Sequence, residues 1–507
     1  MPIIDPNQFE IVDKPELVFG LAAAVGTPLN HISRILQNKL AVRKYKCEEI
    51  HLSQFLKRLD LESPPPIKGM SEFERISRLM DRGDELRQLA NGGEALALFA
   101  VAYINNQRPD RDPPCMPGKA FILRQLKHPD EVFWLRKIYG PAFHLIGVYC
   151  PERVRKRNLE INYGMTEEQS GTLIRRDMDE NVPYGQHLRD TFHLADVFVK
   201  MNGHDDQASI HAAEQLERYL KLLFGEGIIT PTIDEYGMHL AYSASLRSAD
   251  LSRQVGAAIV TRNKDVVSLG TNEVPATGGG QYWEGDKNDG RDAKRGFDAN
   301  ALTKQKILRE VLETLQEGFA GLGPEEQELA LEEAARKLGP TRLMDLTEFG
   351  RAVHAEMEAL LAAGRLGVSV RGCHLYVTTF PCHNCAKHIV GAGIKRVVYI
   401  EPYPKSMARE LHDDAIAFPE DDESRGRKTR FEPFVGVAPR MYWTLFSIMT
   451  PEGRRLKRKT GDGKVIRAPL GLRISASPLT YIDREYTAAR AADKIGKLMT
   501  DGSDGNG

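Results

Sequence analysis

The stretch TTFPCHNCAKHI, residues 378–389, places Cys382 and Cys385 two residues apart, behind Pro381. A proline at a helix start lets C-x-x-C wrap the first turn, so both sulfurs can reach one metal ion. Zinc takes about four tetrahedral ligands from thiolate, imidazole and carboxylate groups. The third ligand is sought upstream in VHAEMEALL, where His354 precedes a helix-forming run and Glu356 follows two residues later. In mid-helix such a pair diverges. At a helix N-terminus facing the ion, the two can converge on one cavity. His354, Cys382 and Cys385 then hold one zinc per chain and leave a fourth position for water, the catalytic pattern, since structural sites are closed. Zinc lowers the pKa of bound water to about 7. A carboxylate beside it can carry a proton from that water to a ring nitrogen and a leaving amine, and Glu356 has the type and placement for this. The rival reading is a closed zinc knuckle with Glu356 on the surface. Cys373 and His374 stand at the far end of the preceding strand, a long extended reach away. His383 and His388 read as polar helix residues, and Cys47, Cys115 and Cys150 as buried thiols.

The elements that must position these residues follow from pattern. A chain of 507 residues, 41% hydrophobic and 27% charged, reads as a globular protein of at least two domains. A formal net charge of −1 argues against a dedicated nucleic-acid coat or a polybasic membrane binder. No apolar run approaches the roughly 20 residues that span a bilayer. The opening MPIIDPNQFE lacks a secretory pattern, and dispersed cysteines fit a reducing cytoplasm. Apolar runs near residues 16–21, 119–126, 143–150 and 195–203 read as strands, alternating with helices that include Ile32, Ile35, Leu36 and Leu40. That rhythm predicts a mostly parallel α/β domain over 1–227. From 228 to 450 the pattern predicts a second α/β domain, with a Gly-rich loop and two helices inserted at about 275–345. Residues 451–507 read as a basic extension, RRLKRKTGDGK, and a disordered tail.

H-x-E followed by P-C-x-x-C, with a strand between, is the zinc nucleobase-deaminase signature. With SRQVGAAIV, HAEMEAL and LYVTTFPCHNCAKHIVGAGIKRVVYIEPY, the chain resembles the cytidine and deoxycytidylate deaminase superfamily over roughly residues 235–405. The resemblance implies a central sheet sandwiched by helices, with zinc ligands His354, Cys382 and Cys385 and a proton-shuttling Glu356. It also implies nucleotide-pocket positions at Arg253 and Asn272, although Glu273 follows Asn272 where the family usually has glycine. PELVFGLAAAVGT, KAFILRQLKHPDEVFWLRKIYG, FHLIGVYCPERVRKR and LADVFVKMNG resemble the P-loop nucleoside and nucleotide kinase fold.

The fused arrangement resembles the bacterial antiphage dCTP deaminases, through the later RFEPFVGVAPRMYWTLFS. That resemblance implies conversion of dCTP, and of dCMP, to deoxyuridine nucleotides with release of ammonia, depleting the pool that phage replication uses. Lys405, in EPYPKS, would contact the triphosphate, and the expected assembly is a homo-oligomer. The P-loop departs from pattern. Gly20 through Gly26-Thr27-Pro28 keeps glycine and a hydroxyl but has no lysine after the second glycine. Backbone amides at the helix start could still hold a phosphate, so Gly20, Gly26 and Thr27 read as a regulatory nucleotide site without phosphoryl transfer, the alternative being a purely structural α/β domain. Rival functions are a housekeeping dCMP deaminase, a tRNA or single-stranded DNA deaminase steered by RRLKRK, and a kinase-like binding protein with a structural zinc.

Overall fold

The computed structural model describes residues 14–501 apart from 111–113, 179–183, 204–205, 317, 340, 342, 345, 401–405, 420, 422–427, 452, 470 and 475–477. The chain divides into two compact units. The first runs to Glu235 and resumes at Pro433, and the second starts at Tyr236 and ends at Glu432. The sequence pattern predicts the later boundary at 450 and a separate C-terminal extension, whereas the chain returns to the first unit at Pro433. In the structure Val437, Leu445 and Ile474 belong to the core of the first unit.

The first unit is built on β1 (Leu17–Ala23), β2 (Lys46–His51), β3 (Lys119–Arg124), β4 (Phe143–Tyr149) and β5 (Val197–Lys200), parallel strands in the order β5-β4-β1-β3-β2. A two-residue strand, Gly436–Val437, pairs antiparallel with β5 at the edge. β1 and β4 are buried along their whole length, as central parallel strands covered on both faces must be. Leu17, Phe19, Leu21 and Ala23 pack with the apolar face of α1 (Leu29–Val42) and with the helix Asp206–Leu223. The C-terminal helix Pro478–Asp501 packs on Ala95–Asn105 and Pro129–Tyr139. A buried ion group ties it in. Arg108 donates to Glu16 Oε1 at 3.0 Å and to Glu485 Oε1 at 2.9 Å.

The second unit carries β6 (Gly256–Val260), β7 (Val266–Thr271), β8 (His374–Val377), β9 (Arg396–Tyr399), β10 (Ile416–Ala417) and β11 (Thr429–Pro433), in the order β10-β11-β9-β8-β6-β7. β6 is antiparallel to β7 and β8, while β8 and β9 are parallel. Around the sheet lie α2 (Ile233–Ser245), α3 (Ala355–Arg365) and α4 (His383–Gly391). Two glycines set the layers. A Cβ on Gly256 would stand 1.9 Å from Ala241 O of α2, and one on Gly270 would stand 2.0 Å from Ala355 O of α3. Gly256 pairs with Thr271 and Ala257 with Gly270, so the two glycines face opposite sides. The result is an α/β/α sandwich. The inserted helices Ala299–Leu315 and Pro324–Leu338 form their own small core around Leu308, Phe319 and Leu331. Among the described residues no helix is long and apolar enough to cross a membrane.

The glycine contacts make a direct test. Gly270→Ala should destabilise the protein by about 1–3 kcal/mol, because α3 must be pushed off the sheet. Gly364→Ala, where nothing lies within 4 Å, should stabilise it by up to about 1 kcal/mol through helix propensity. Denaturant titration of the two variants would show both signs.

Candidate active site

Three segments far apart in sequence meet at the N-termini of α3 and α4. His354 is the N-cap of α3, in extended backbone. It is fixed from behind, because Val353 and Glu273 exchange backbone hydrogen bonds of 3.0 and 3.3 Å. Cys382 is the N-cap of α4, and its Sγ accepts the Cys385 N–H at 3.4 Å. The approach to Cys382 is held by an aromatic cluster. The Phe380 ring meets Tyr399 edge-on at 4.8 Å and lies against Phe418 and Phe431.

His354 Nδ1 lies 3.4 Å from Cys382 Sγ and 3.3 Å from Cys385 Sγ. All three donor atoms lie within 4.8 Å of one another. Tetrahedral zinc with ordinary bond lengths holds nitrogen and sulfur donors about 3.6 Å apart. The donor set therefore fits zinc in both type and spacing. Among the described residues this is the His, Cys, Asp and Glu group that meets a metal-site spacing.

Without an ion the three donors are close enough to share protons. The Cys385 thiol and His354, donating to it, pull the Cys382 thiol down to about 4, so its sulfur is a thiolate. Cys382 in turn raises His354 to about 9 and drives the Cys385 thiol well above its usual range. Two helix N-termini add positive potential at this point. Glu356, in the first turn of α3, is only 4% exposed. Burial pushes its carboxyl up to about 7, and the Cys385 thiol lies against it.

Beside His354 runs the segment 248–255, whose Asp250 charge reaches the imidazole. Asn272 hooks this segment to the end of β7. Its Nδ2 donates to Arg253 O at 2.7 Å, and its Oδ1 accepts from Val255 N at 2.6 Å. The structure thus brings Arg253 and Asn272 together, with Arg253 exposed and both ends of the Asn272 amide engaged by backbone. Glu273 is buried, and its carboxylate accepts from Ala249 N at 2.8 Å and Val274 N at 2.9 Å. Sequence reasoning missed Glu273 and Phe380 as positioning residues. The signals were a charged residue where glycine is usual, and an aromatic next to P-C-x-x-C. Lys405 lies outside the described residues.

Residues 231–401 match the family model of the cytidine and deoxycytidylate deaminase zinc-binding region. The chain carries a domain of that deaminase type. ComE operon protein 2 of Bacillus subtilis is 46% identical over 66 residues, 13% of this chain and 35% of that protein. The deoxycytidylate deaminase of Enterobacteria phage T4 is 50% identical over 54 residues, 11% of this chain and 28% of that one. The chain thus spans about a third of the length of these curated relatives. The dCMP deaminase of cyanophage S-TIM5, solved in complex with dCMP and dUMP, is 20% identical, with 41% of this chain and 99% of that chain covered and a TM-score of 0.22.

In the first unit the glycine-bearing turn follows β1. Gly20 lies within the strand, where a Cβ would stand 2.6 Å from Leu126 Cδ1, so its visible role is packing. Gly26 has φ +82°, and a Cβ there would stand 2.7 Å from Arg155 O. The turn is braced by the protein's own groups. Asp177 Oδ2 accepts from Val25 N at 2.7 Å, Asn158 Nδ2 donates to Gly26 O at 2.7 Å, and Lys127 Nζ donates to Ala23 O at 2.8 Å. Thr27 is 7% exposed, and its hydroxyl has no hydrogen-bond partner among the described residues. Thr27 borders a cavity of about 610 Å³.

His354→Ala and Cys382→Ser should each lower bound zinc at least tenfold after exhaustive dialysis, while Glu356→Gln should keep it. Elemental analysis of the purified proteins reads this directly.

Proposed function

We propose that the protein is a zinc-dependent hydrolase that deaminates deoxycytidine nucleotides, dCTP and also dCMP, to deoxyuridine nucleotides, and so lowers the dCTP pool in antiphage defence. The observation that carries the deaminase reading is a buried Glu356 carboxyl beside a His-Cys-Cys donor set at two helix N-termini. His354, Cys382 and Cys385 would hold the zinc, and bound zinc supplies a water made acidic enough to be a nucleophile near neutral pH. Glu356 takes a proton from that water at a carboxylate oxygen and delivers it to cytosine N3. A proton then goes to the departing amine. Water oxygen joins C4, the C4–N4 bond breaks, and ammonia leaves. Burial of Glu356 keeps bulk water from competing for the proton. Curated relatives named deoxycytidylate deaminase support a cytosine nucleotide as the substrate class. Arg253 and Lys405 are the cations assigned to its phosphates. The setting is the cytoplasm, where cysteines outside disulfides persist in reduced form, and the assembly is a homo-oligomer.

The deciding experiment incubates the protein with dCTP, dCMP, CTP, cytidine and a cytosine-containing oligonucleotide, with products resolved by mass. Turnover of dCTP and dCMP is expected, and Glu356→Gln should lower kcat by about 10²–10⁴ with zinc retained. Activity on dCMP alone, without effect on phage growth, would favour the housekeeping reading. Turnover of the oligonucleotide alone would overturn the proposal.

We also infer that the first unit binds a nucleotide as a regulatory ligand. In open parallel α/β sheets ligands bind outside the carboxyl ends of the strands, where the strand order reverses. The cavity lies there, beyond β1, β2 and β3, and Thr27, His31, His51, Arg75, Arg124 and Lys127 are among its lining residues. Its volume of about 610 Å³ is in the usual range for a small-molecule site. Without a lysine after Gly26 the turn lacks the group that would stabilise phosphoryl transfer. Calorimetric titration with adenine, guanine and thymine nucleotides should show binding that Arg124→Ala weakens at least fivefold with zinc content unchanged. Equal affinity in the variant, or no binding, would overturn this site.

A further inference from the structure

Residues 448–467, IMTPEGRRLKRKTGDGKVIR, hold seven Lys and Arg residues against Glu452 and Asp462, in a chain whose formal net charge is −1. The segment folds into two consecutive short ribbons. Met449 pairs with Arg455, and Lys459 pairs with Val465. Hydrogen bonds close each one, with Thr450 N donating to Arg454 O at 2.8 Å and Thr460 N donating to Lys464 O at 2.8 Å. Gly453 and Gly463, with φ of 84° and 82°, make the turns. Arg454, Arg455, Lys457, Lys459, Lys464 and Arg467 are exposed, and Arg458 is half-buried. Among the described residues, the ion pair found within this arm is Lys464 with Asp462, at 2.9 Å.

The arm is clamped at both ends. Leu445 before it and Ile474 after it sit in the core of the first unit. Arg473, 5% exposed, closes the base, its Nη2 donating to Thr444 O at 3.1 Å and Ser447 O at 2.6 Å. Arg458 lies close enough to Arg473 for its charge to add to the burial that lowers the arginine's proton affinity. The Nε atoms of both are buried without a hydrogen-bond partner among the described residues. Two like charges thus stand together at the base of the arm and add to its positive potential.

We infer that this arm docks the phosphate backbone of a nucleic acid strand without reading base sequence. Cations on a two-ribbon frame meet the recurring negative charge of a polyphosphodiester, and their engagement releases its counterions. A membrane surface fits less well. Membrane-lying elements carry a bulky apolar face, whereas the turns here are built from Pro451, Gly453, Gly461 and Gly463, and Val465 is the large apolar side chain exposed on the arm. An acidic protein partner would want a bulky aromatic or aliphatic anchor at the centre of its contact, and the exposed apolar side chain the arm offers among its described residues is Val465 at a ribbon end.

Fluorescence anisotropy with the full chain tests the inference, using labelled mixed-sequence RNA and DNA, single-stranded and duplex, in rising salt. Binding is expected with a log–log salt slope near 0.7 per phosphate engaged for single strands and near 0.9 for duplex, in roughly the 50–200 mM range. The preferred arm identifies the strand type. Arg455→Glu, Lys457→Glu and Lys459→Glu together should weaken binding at least tenfold and flatten the slope, with an unchanged melting temperature because all three side chains are exposed. Absence of binding at low salt, an unaltered slope in the triple variant, or tighter binding to anionic phosphatidylserine vesicles than to any nucleic acid would overturn it.

Discussion

The second unit depends on how closely α3 can lie on β7. The three candidate metal donors and the carboxylate come from segments that meet only because the starts of two helices converge at one place on the sheet. Gly270 permits that convergence, since its missing side chain lets Ala355 O come within the space a Cβ would fill. Ala355 lies between His354 and Glu356, so the contact that seats the helix also aims the site. Ser268, on the same face of β7, donates its hydroxyl to Ala359 O at 2.7 Å and pins the next turn. The N-terminus of α3 has almost no freedom left.

A second constraint is charge. A thiolate, an imidazole and a buried carboxyl would be costly together without compensation. The N-termini of α3 and α4 offer unpaired N–H groups and a positive dipole end, and a divalent cation would complete the balance. The surrounding segments hold this arrangement by backbone. Asn272 and Glu273 use their side chains to fix 249–255 and their main chain to fix Val255 and Val353. Phe380 does the same for Cys382 through ring packing.

The first unit applies the opposite logic to a similar kind of turn. Between β1 and α1, protein groups already occupy the turn. Asp177 takes the Val25 N–H, while Asn158, Arg155 and Lys127 donate to carbonyls on either side. Pro28, with no N–H, is the N-cap of α1. Such a turn is a stiff wall, and the polar groups left to a ligand come from Thr27, from the ends of β2 and β3, and from helix residues such as His31 and Arg75.

By itself, the sequence determined the candidate donor set and most of the elements. Alternating apolar runs placed β1, β3, β4 and β5. H-A-E with P-C-H-N-C named the donor set, because zinc restricts its ligands to few residue types and tight spacings. It left out β2 and the helices Glu72–Ala90, Glu152–Tyr163 and Glu167–Met178, whose polar composition gives a weak period. Only the tertiary structure decided that Gly20 packs within a strand, that Asn272 spends its amide on backbone, and that the residues after 433 return to the first unit. It also put Arg458 beside Arg473 at the base of a basic arm. Each of these depends on which distant groups come within a few ångströms, and spacing along a chain does not encode that distance.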